Sequence, residues 1–217
     1  MSLRYGRKGP ESARRLVVLL HGYGANGADL LGLADPLMPH MPGTAFVAPD
    51  APQPCAGAPM GFQWFPIPWI DGSSEAAAKA GATEAAAALD AFLDERMQAE
   101  GVGPESTILF GFSQGTMMTL EVAPRRADAV AGLVCFSGRL IYPEALKAEL
   151  SVRPPVLLVH GDADEVVPFG SMDEAGQALQ GLGFDVYAHV MRGTGHGIAP
   201  DGLQVALAFM RDRLGLS

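Results

Sequence analysis

Six short apolar runs recur along the chain, at residues 16–20, 44–48, 107–110, 130–136, 156–159 and 186–190. They are bounded by turn residues, and several are rich in Val, Ile or Leu. Such runs read as strands of a sheet covered on both faces, where every side chain is buried and no polar alternation is needed. Helical patterns fill the intervals. Residues 75–97 are Ala-rich, with Leu89, Phe92, Leu93 and Met97 at helical spacing. Residues 115–123 form a second pattern, stopped by Pro124, and 172–182 and 203–214 a third and fourth. Strands alternating with helices predict βαβ units and a mainly parallel sheet with helices on both faces. At 217 residues, 48% hydrophobic and 18% charged, the chain can bury a substantial core. No internal repeat or linker marks a second unit, so residues 1–217 are expected to form one α/β domain without a large cap.

Charge narrows the function classes. There are 24 acidic and 15 basic residues, for a formal charge of -9. Phosphate contacts need clustered Lys and Arg, so a nucleic-acid partner is not expected. Arg4, Arg7, Lys8, Arg14 and Arg15 crowd the first 15 positions and read as a solvated basic arm. Two cysteines, Cys55 and Cys135, make neither a disulfide framework nor a metal-ligand pattern, which fits a reducing compartment. No apolar run reaches the roughly 18 residues of a membrane span, and no signal-type apolar segment opens the chain. The expectation is a cytoplasmic protein with no stable membrane insertion.

One stretch breaks the rhythm. Residues 49–73 are rich in proline and contain M-G-F-Q-W-F-P-I-P-W-I at 60–70, with both tryptophans. A connection this long in a compact domain is usually functional or disordered, and its aromatic content argues for packing. It reads as a flap closing the core, as a wall of a substrate pocket, or as both.

The chemistry begins at G-F-S-Q-G, residues 111–115, placed after a strand and before a helix. In a nucleophile elbow, the serine sits on a tight strand-to-helix turn that exposes its hydroxyl at a helix N-terminus. With 27 Gly in 217 residues, the pattern arises by chance about 0.15 times per chain, so its setting matters. Serine needs a base to take its proton and a third group to orient that base. In α/β-hydrolases these follow in the order serine, acid, histidine. His21, His40 and His160 come too early, and His189 alternates with apolar residues inside a strand. His196, in the glycine-rich R-G-T-G-H-G-I, lies in the loop beyond that strand and is the better base. The acid should follow the strand 156–159, where H-G-D-A-D-E-V-V-P offers Asp162, Asp164 and Glu165. Asp164 has the longer reach; Asp162 is the fallback, well placed to bind turn backbone instead. Two amide donors should face a tetrahedral oxyanion: Gln114, after the nucleophile, and Tyr23 in the early H-G-Y-G loop.

These features together resemble the phospholipase/carboxylesterase family, which includes acyl-protein thioesterases and small bacterial carboxylesterases. The resemblance is carried by L-L-H-G-Y-G-A-N-G-A-D-L (19–30), F-V-A-P-D-A-P (46–52), Q-W-F (63–65), I-L-F-G-F-S-Q-G (108–115), H-G-D-A-D-E-V-V-P and G-T-G-H-G, nearly the whole chain. It implies a compact α/β-hydrolase with catalytic Ser113, Asp164 and His196 and oxyanion donors at Tyr23 and Gln114. It further implies small ester or thioester substrates, no metal or cofactor, and a possible homodimer. Trp64, Phe65, Met117 and Val167 are candidate walls for an acyl chain. Thr116 stands where the family often has a second glycine, and Pro66 where it often has an acidic residue; both bear on substrate preference. A depalmitoylating thioesterase and a non-catalytic binding protein on the same fold are the alternatives.

Overall fold

The computed structural model describes residues 3–55 and 57–216. Its elements run β1 (Tyr5–Lys8), β2 (Arg15–Leu20), α1 (Gly27–Leu31), α2 (Ala34–Leu37), β3 (Thr44–Pro49), a small hairpin of β4 (Gln53–Pro54) and β5 (Phe62–Gln63), and α3 (Pro68–Asp71). They continue with α4 (Glu75–Glu100), β6 (Thr107–Phe112), α5 (Gln114–Val122), β7 (Gly132–Phe136), α6 (Pro143–Glu149), β8 (Val156–Gly161), α7 (Gly170–Gly181), β9 (Val186–Met191) and α8 (Pro200–Arg213). Seven strands form one sheet in the order β1-β3-β2-β6-β7-β8-β9, all parallel except β1. A strand order that doubles back around β2, with helices on both faces, is the α/β-hydrolase arrangement.

The apolar strands divide their side chains by period two. Leu16, Val18 and Leu20 enter one core cluster with Leu89, Phe92 and Met118, while Val17 and Leu19 enter the other with Leu37, Phe209 and Met210. The sheet thus separates two cores, which is why β2 carries no polar alternation. Every residue from Leu16 to Leu20 has 0% exposure. Burying each such side chain contributes roughly 1.5–3 kcal/mol before conformational entropy is set against it.

The basic arm is not a solvated tail. Residues Tyr5–Lys8 pair antiparallel with β3 and form an edge of the sheet. Arg7 is gripped by Glu100 at 2.7 Å, Arg4 by Asp50 at 2.6 Å and Lys8 by Asp35 at 2.6 Å. The acidic partners come from the body of the protein, so three of the arm's five charges are paired by the fold, and Arg15 Nε donates to the Leu214 carbonyl at 2.8 Å. The described residues of the 49–73 segment likewise include the hairpin and α3. Trp64, Phe65 and Ile67 join the core, while Met60, Trp69 and Ile70 stay exposed. Among the described residues, no helix is long and apolar enough to cross a membrane.

Candidate active site

The site lies where β2, β6, β7, β8 and β9 deliver their carboxyl ends, the edge at which such sheets carry ligands. Ser113 occupies the single step between β6 and α5. Its backbone is at φ 55°, ψ −116°, a region L-residues with a Cβ rarely enter. The strain is held by neighbours: Ser113 N–H donates to the Phe136 carbonyl at 2.9 Å, and Met117 N–H to the Ser113 carbonyl at 3.2 Å. Gly115 permits the turn because a Cβ there would overlap the Leu20 carbonyl. A Cβ on Gly22 would sit 3.1 Å from Ser113 Cβ, so the H-G-Y-G loop lies directly against the serine.

Across the cleft, His196 Nδ1 is 2.8 Å from Asp164 Oδ2. The Asp164 side chain has 0% exposure. Its other oxygen, Oδ1, accepts the N–H groups of Val166 and Val167, both at 2.9 Å. Burial pushes this carboxyl up, but the hydrogen bonds from His196, Val167 and Val166 together outweigh it, and its pKa falls below the usual carboxylate value. The His196 ring packs on Phe112, the residue before the serine, with centroids 4.9 Å apart. Asp162 does not touch the imidazole. Its Oδ1 instead accepts Gly193 N–H at 2.6 Å and fixes the turn that leads to His196. His189 pairs with Asp201 at 2.8 Å, on the strand's outer side.

His160 is a member of this cluster that chain order alone rejects. It is buried at the end of β8, with Nε2 3.0 Å from the Val167 carbonyl and 3.2 Å from Asp164 Oδ2. A carbonyl can only accept, so Nε2 carries a proton and Asp164 feels a second imidazole. His21 is likewise a structural member of the site that its motif does not reveal. Its Nε2 accepts Ala51 N–H at 2.9 Å and its Nδ1 donates to the Gly22 carbonyl at 2.7 Å. Burial lowers its pKa and keeps it neutral. His21 thereby ties the H-G-Y-G loop to the loop after β3. No local sequence signal marks either role, because the partners are fixed only by folding.

Among the described residues, neither the Tyr23 nor the Gln114 amide donates a hydrogen bond. The Tyr23 phenol is hydrogen-bonded to Cys55, and with burial this pushes its pKa up to about 12. The Gln114 side chain is wholly buried: Oε1 accepts Trp64 N–H at 2.8 Å and Nε2 donates to the Phe65 carbonyl at 2.7 Å. Trp64 Nε1 donates to the His21 carbonyl at 3.0 Å. The hairpin also pairs with the early loop, through Gly24 N–H to Phe62 O at 2.9 Å and Phe62 N–H to Ala25 O at 2.7 Å.

Phe65 and Met117 line a cavity of ≈ 290 Å³ beneath the flap, together with Pro66, Trp69, Arg139 and Tyr142. Trp64 does not line it, because its ring is buried with 0% exposure against His21. Val167 does not line it either; its amide holds Asp164. Pro66 packs its ring against α4 at Gly81, where a Cβ would lie 2.8 Å from Pro66 Cδ. The Thr116 hydroxyl lies 2.9 Å from the Gly111 carbonyl and 2.8 Å from that of Phe136, bridging β6 and β7.

The sequence model of the phospholipase/carboxylesterase family matches residues 7–214. Esterase YpfH of Escherichia coli (strain K12) is 28% identical over 202 residues, covering 92% of this chain and 83% of that protein. Acyl-protein thioesterase 1 of Saccharomyces cerevisiae is 29% identical over 220 residues, covering 94% and 95%. Among solved structures, esterase PE8 superposes with a TM-score of 0.93 at 44% identity, covering 99% of this chain and 100% of that one. With this match spanning the sheet and every loop at its carboxyl edge, the chain belongs to the phospholipase/carboxylesterase family and is a serine hydrolase on the α/β-hydrolase fold.

Proposed function

We propose that the protein is a carboxylesterase acting on small to medium acyl chains through an acyl–Ser113 intermediate. One observation carries the assignment: the Asp164–His196 pair, at 2.8 Å, packs its imidazole on Phe112, the residue before a serine held at positive φ at the end of β6. In this reading His196 takes the Ser113 proton as Oγ attacks the ester carbonyl. The oxyanion is met by the Tyr23 and Gln114 amides, with the N-terminus of α5 adding its dipole. The carbonyl then re-forms and the leaving alkoxide departs with the proton from His196. A water, losing its proton to His196, attacks the acyl ester and releases the acid and free Ser113. Asp164 orients the imidazole, with Nδ1 protonated, and stabilises its charged form.

We assign the acyl group to the cavity of ≈ 290 Å³ that Phe65 and Met117 line, Met117 lying on the first turn of α5 beyond Ser113. Its volume lies just below the range of ligand pockets, roughly 300 to 1,000 Å³. The two cysteines are free and buried, and we place the protein in the cytoplasm on that ground. Replacing Ser113 by Ala should cut turnover of p-nitrophenyl butyrate by about 10³-fold or more. A fluorophosphonate probe should label the wild type at Ser113. Full activity in Ser113→Ala, or no labelling, defeats the reading. The thioesterase alternative is favoured by the relatives that bear that name. Comparing kcat/KM for butyryl, octanoyl and palmitoyl oxygen esters and thioesters separates the two: a maximum at palmitoyl thioester selects the alternative.

A further inference from the structure

The arginines near the helical face are spoken for: Arg125 meets Glu121 and Glu149, and Arg126 meets Asp90 and Asp94. Arg139 is not. Its Nε is buried without a hydrogen-bond partner, and its guanidinium makes no ion pair with any described residue. Yet it lines the cavity that also holds Phe65 and Met117. Glu75 borders the same cavity and Glu174 the adjoining one, neither within ion-pair distance of it.

The position of Arg139 is set by the nucleophile turn. Ser137, at φ 45°, is the other non-glycine residue in the described chain with positive φ, and its N–H donates to the Val159 carbonyl at 2.9 Å. Gly138 follows, so close to the serine turn that a Cβ would lie 2.8 Å from the Ser113 carbonyl oxygen. Arg139 is the next residue. Met117, on the first turn of α5, reaches the same cavity from the Ser113 side. A cation without a partner among the described residues therefore shares a cavity with Met117, whose own amide is bonded to the Ser113 carbonyl.

From this juxtaposition we propose that Arg139 is a specificity-determining residue that binds an anionic group, a carboxylate, on the ester substrate. The proposal rests on the carboxylesterase reading. An unpaired buried guanidinium N–H gains a charge-assisted hydrogen bond only when an anion arrives, and a planar fork suits a carboxylate in two-point contact. A chain with a formal charge of -9 repels anions at long range, so a local cation is what such a substrate needs. The carboxylate is carried by the acyl chain or by the alcohol, and the two are separated by substrate pairs.

The test measures kcat/KM for the wild type, Arg139→Met and Arg139→Lys on two pairs of esters. The acyl-side pair is mono-p-nitrophenyl adipate against p-nitrophenyl hexanoate. The alcohol-side pair is ω-acetoxyhexanoate against hexyl acetate. The anionic-to-neutral ratio in one pair should fall about 10- to 100-fold in Arg139→Met, with Arg139→Lys between. The pair that responds identifies the side of the ester that enters the cavity. Ratios within about twofold of wild type in both pairs overturn the proposal. Inhibition of the wild type by adipate against adipamide repeats the comparison without a variant, and equal inhibition also overturns it. If the wild type turns over none of the four esters, the carboxylesterase reading fails instead.

Discussion

Gln114 Oε1 accepts the Trp64 N–H at 2.8 Å, joining the residue after the nucleophile to the centre of the flap. Its Nε2 completes the clasp on the Phe65 carbonyl. Replacement by Ala keeps the Gln114 amide but leaves a buried N–H and a buried carbonyl without partners. Each unsatisfied group costs about 1–3 kcal/mol. Gln114→Ala should lower the urea midpoint accordingly and raise KM for butyryl esters. An unchanged midpoint would show that the flap is held by packing alone.

The elbow glycine and a helix-end glycine should respond in opposite ways. A Cβ at Gly115 would overlap the Leu20 carbonyl, so Gly115→Ala must push α5 off β2. Overpacking of this kind costs about 1–3 kcal/mol or more. At Gly181, the last residue of α7, a Cβ meets nothing within 4 Å. Gly181→Ala should be neutral or stabilising by about 0.4–1 kcal/mol, through the unfolded chain. Thermal melts of the two variants decide this directly.

His21 predicts a slope in stability with pH. Its pKa is lowered by burial, and the favourable fields of Asp50 and Asp29 do not restore it. As pH falls below about 6.5, the unfolded chain takes up the proton first, so stability declines from there until the folded pKa is reached. Above that range His21 contributes no slope. Protonation at Nε2 also removes the acceptor used by Ala51 N–H. Urea midpoints of wild type and His21→Asn should converge as pH falls below about 6.5 and keep a constant gap from there to pH 8. Parallel curves would remove His21 as the source.

Thr116 explains why a side chain is tolerated where a glycine is common in the family. Its hydroxyl bridges the Gly111 and Phe136 carbonyls, the ends of β6 and β7. Thr116→Val preserves volume and removes the bridge, so the loss should be about 1–2 kcal/mol. A chemical denaturation series on the purified variant measures it.

Much of the fold was legible because the strands announce themselves. Residues 16–20 or 156–159 are apolar without interruption, and only a doubly covered sheet needs that. β1 was not legible. Tyr5-Gly6-Arg7-Lys8 has no apolar pattern, and the pairing with β3 and the Arg7–Glu100 contact come from residues far away in sequence. The start of α1 could have been found: Asn26 and Asp29 form a capping box, a local signal present in A-N-G-A-D. At the site, Asp164 and His196 each lie just past a strand end, so their meeting followed from strand order. The contacts of His21, His160 and the Gln114 amide side chain did not, because their partners lie outside their own motifs. Nor could composition separate Trp64, sealed in the core, from Trp69, which lines the cavity and remains 66% exposed.

The pairing of the hairpin with the early loop has a kinetic consequence. Phe62 is bonded to the two residues that follow Tyr23, Gly24 and Ala25, so the flap and the Tyr23 amide share one short backbone ladder. A guest too bulky for the cavity lifts the ladder and takes the amide with it. On the proposed chemistry, oversized substrates are then penalised in the rate of acylation more than in how tightly they are held, and selectivity by length is exercised after docking.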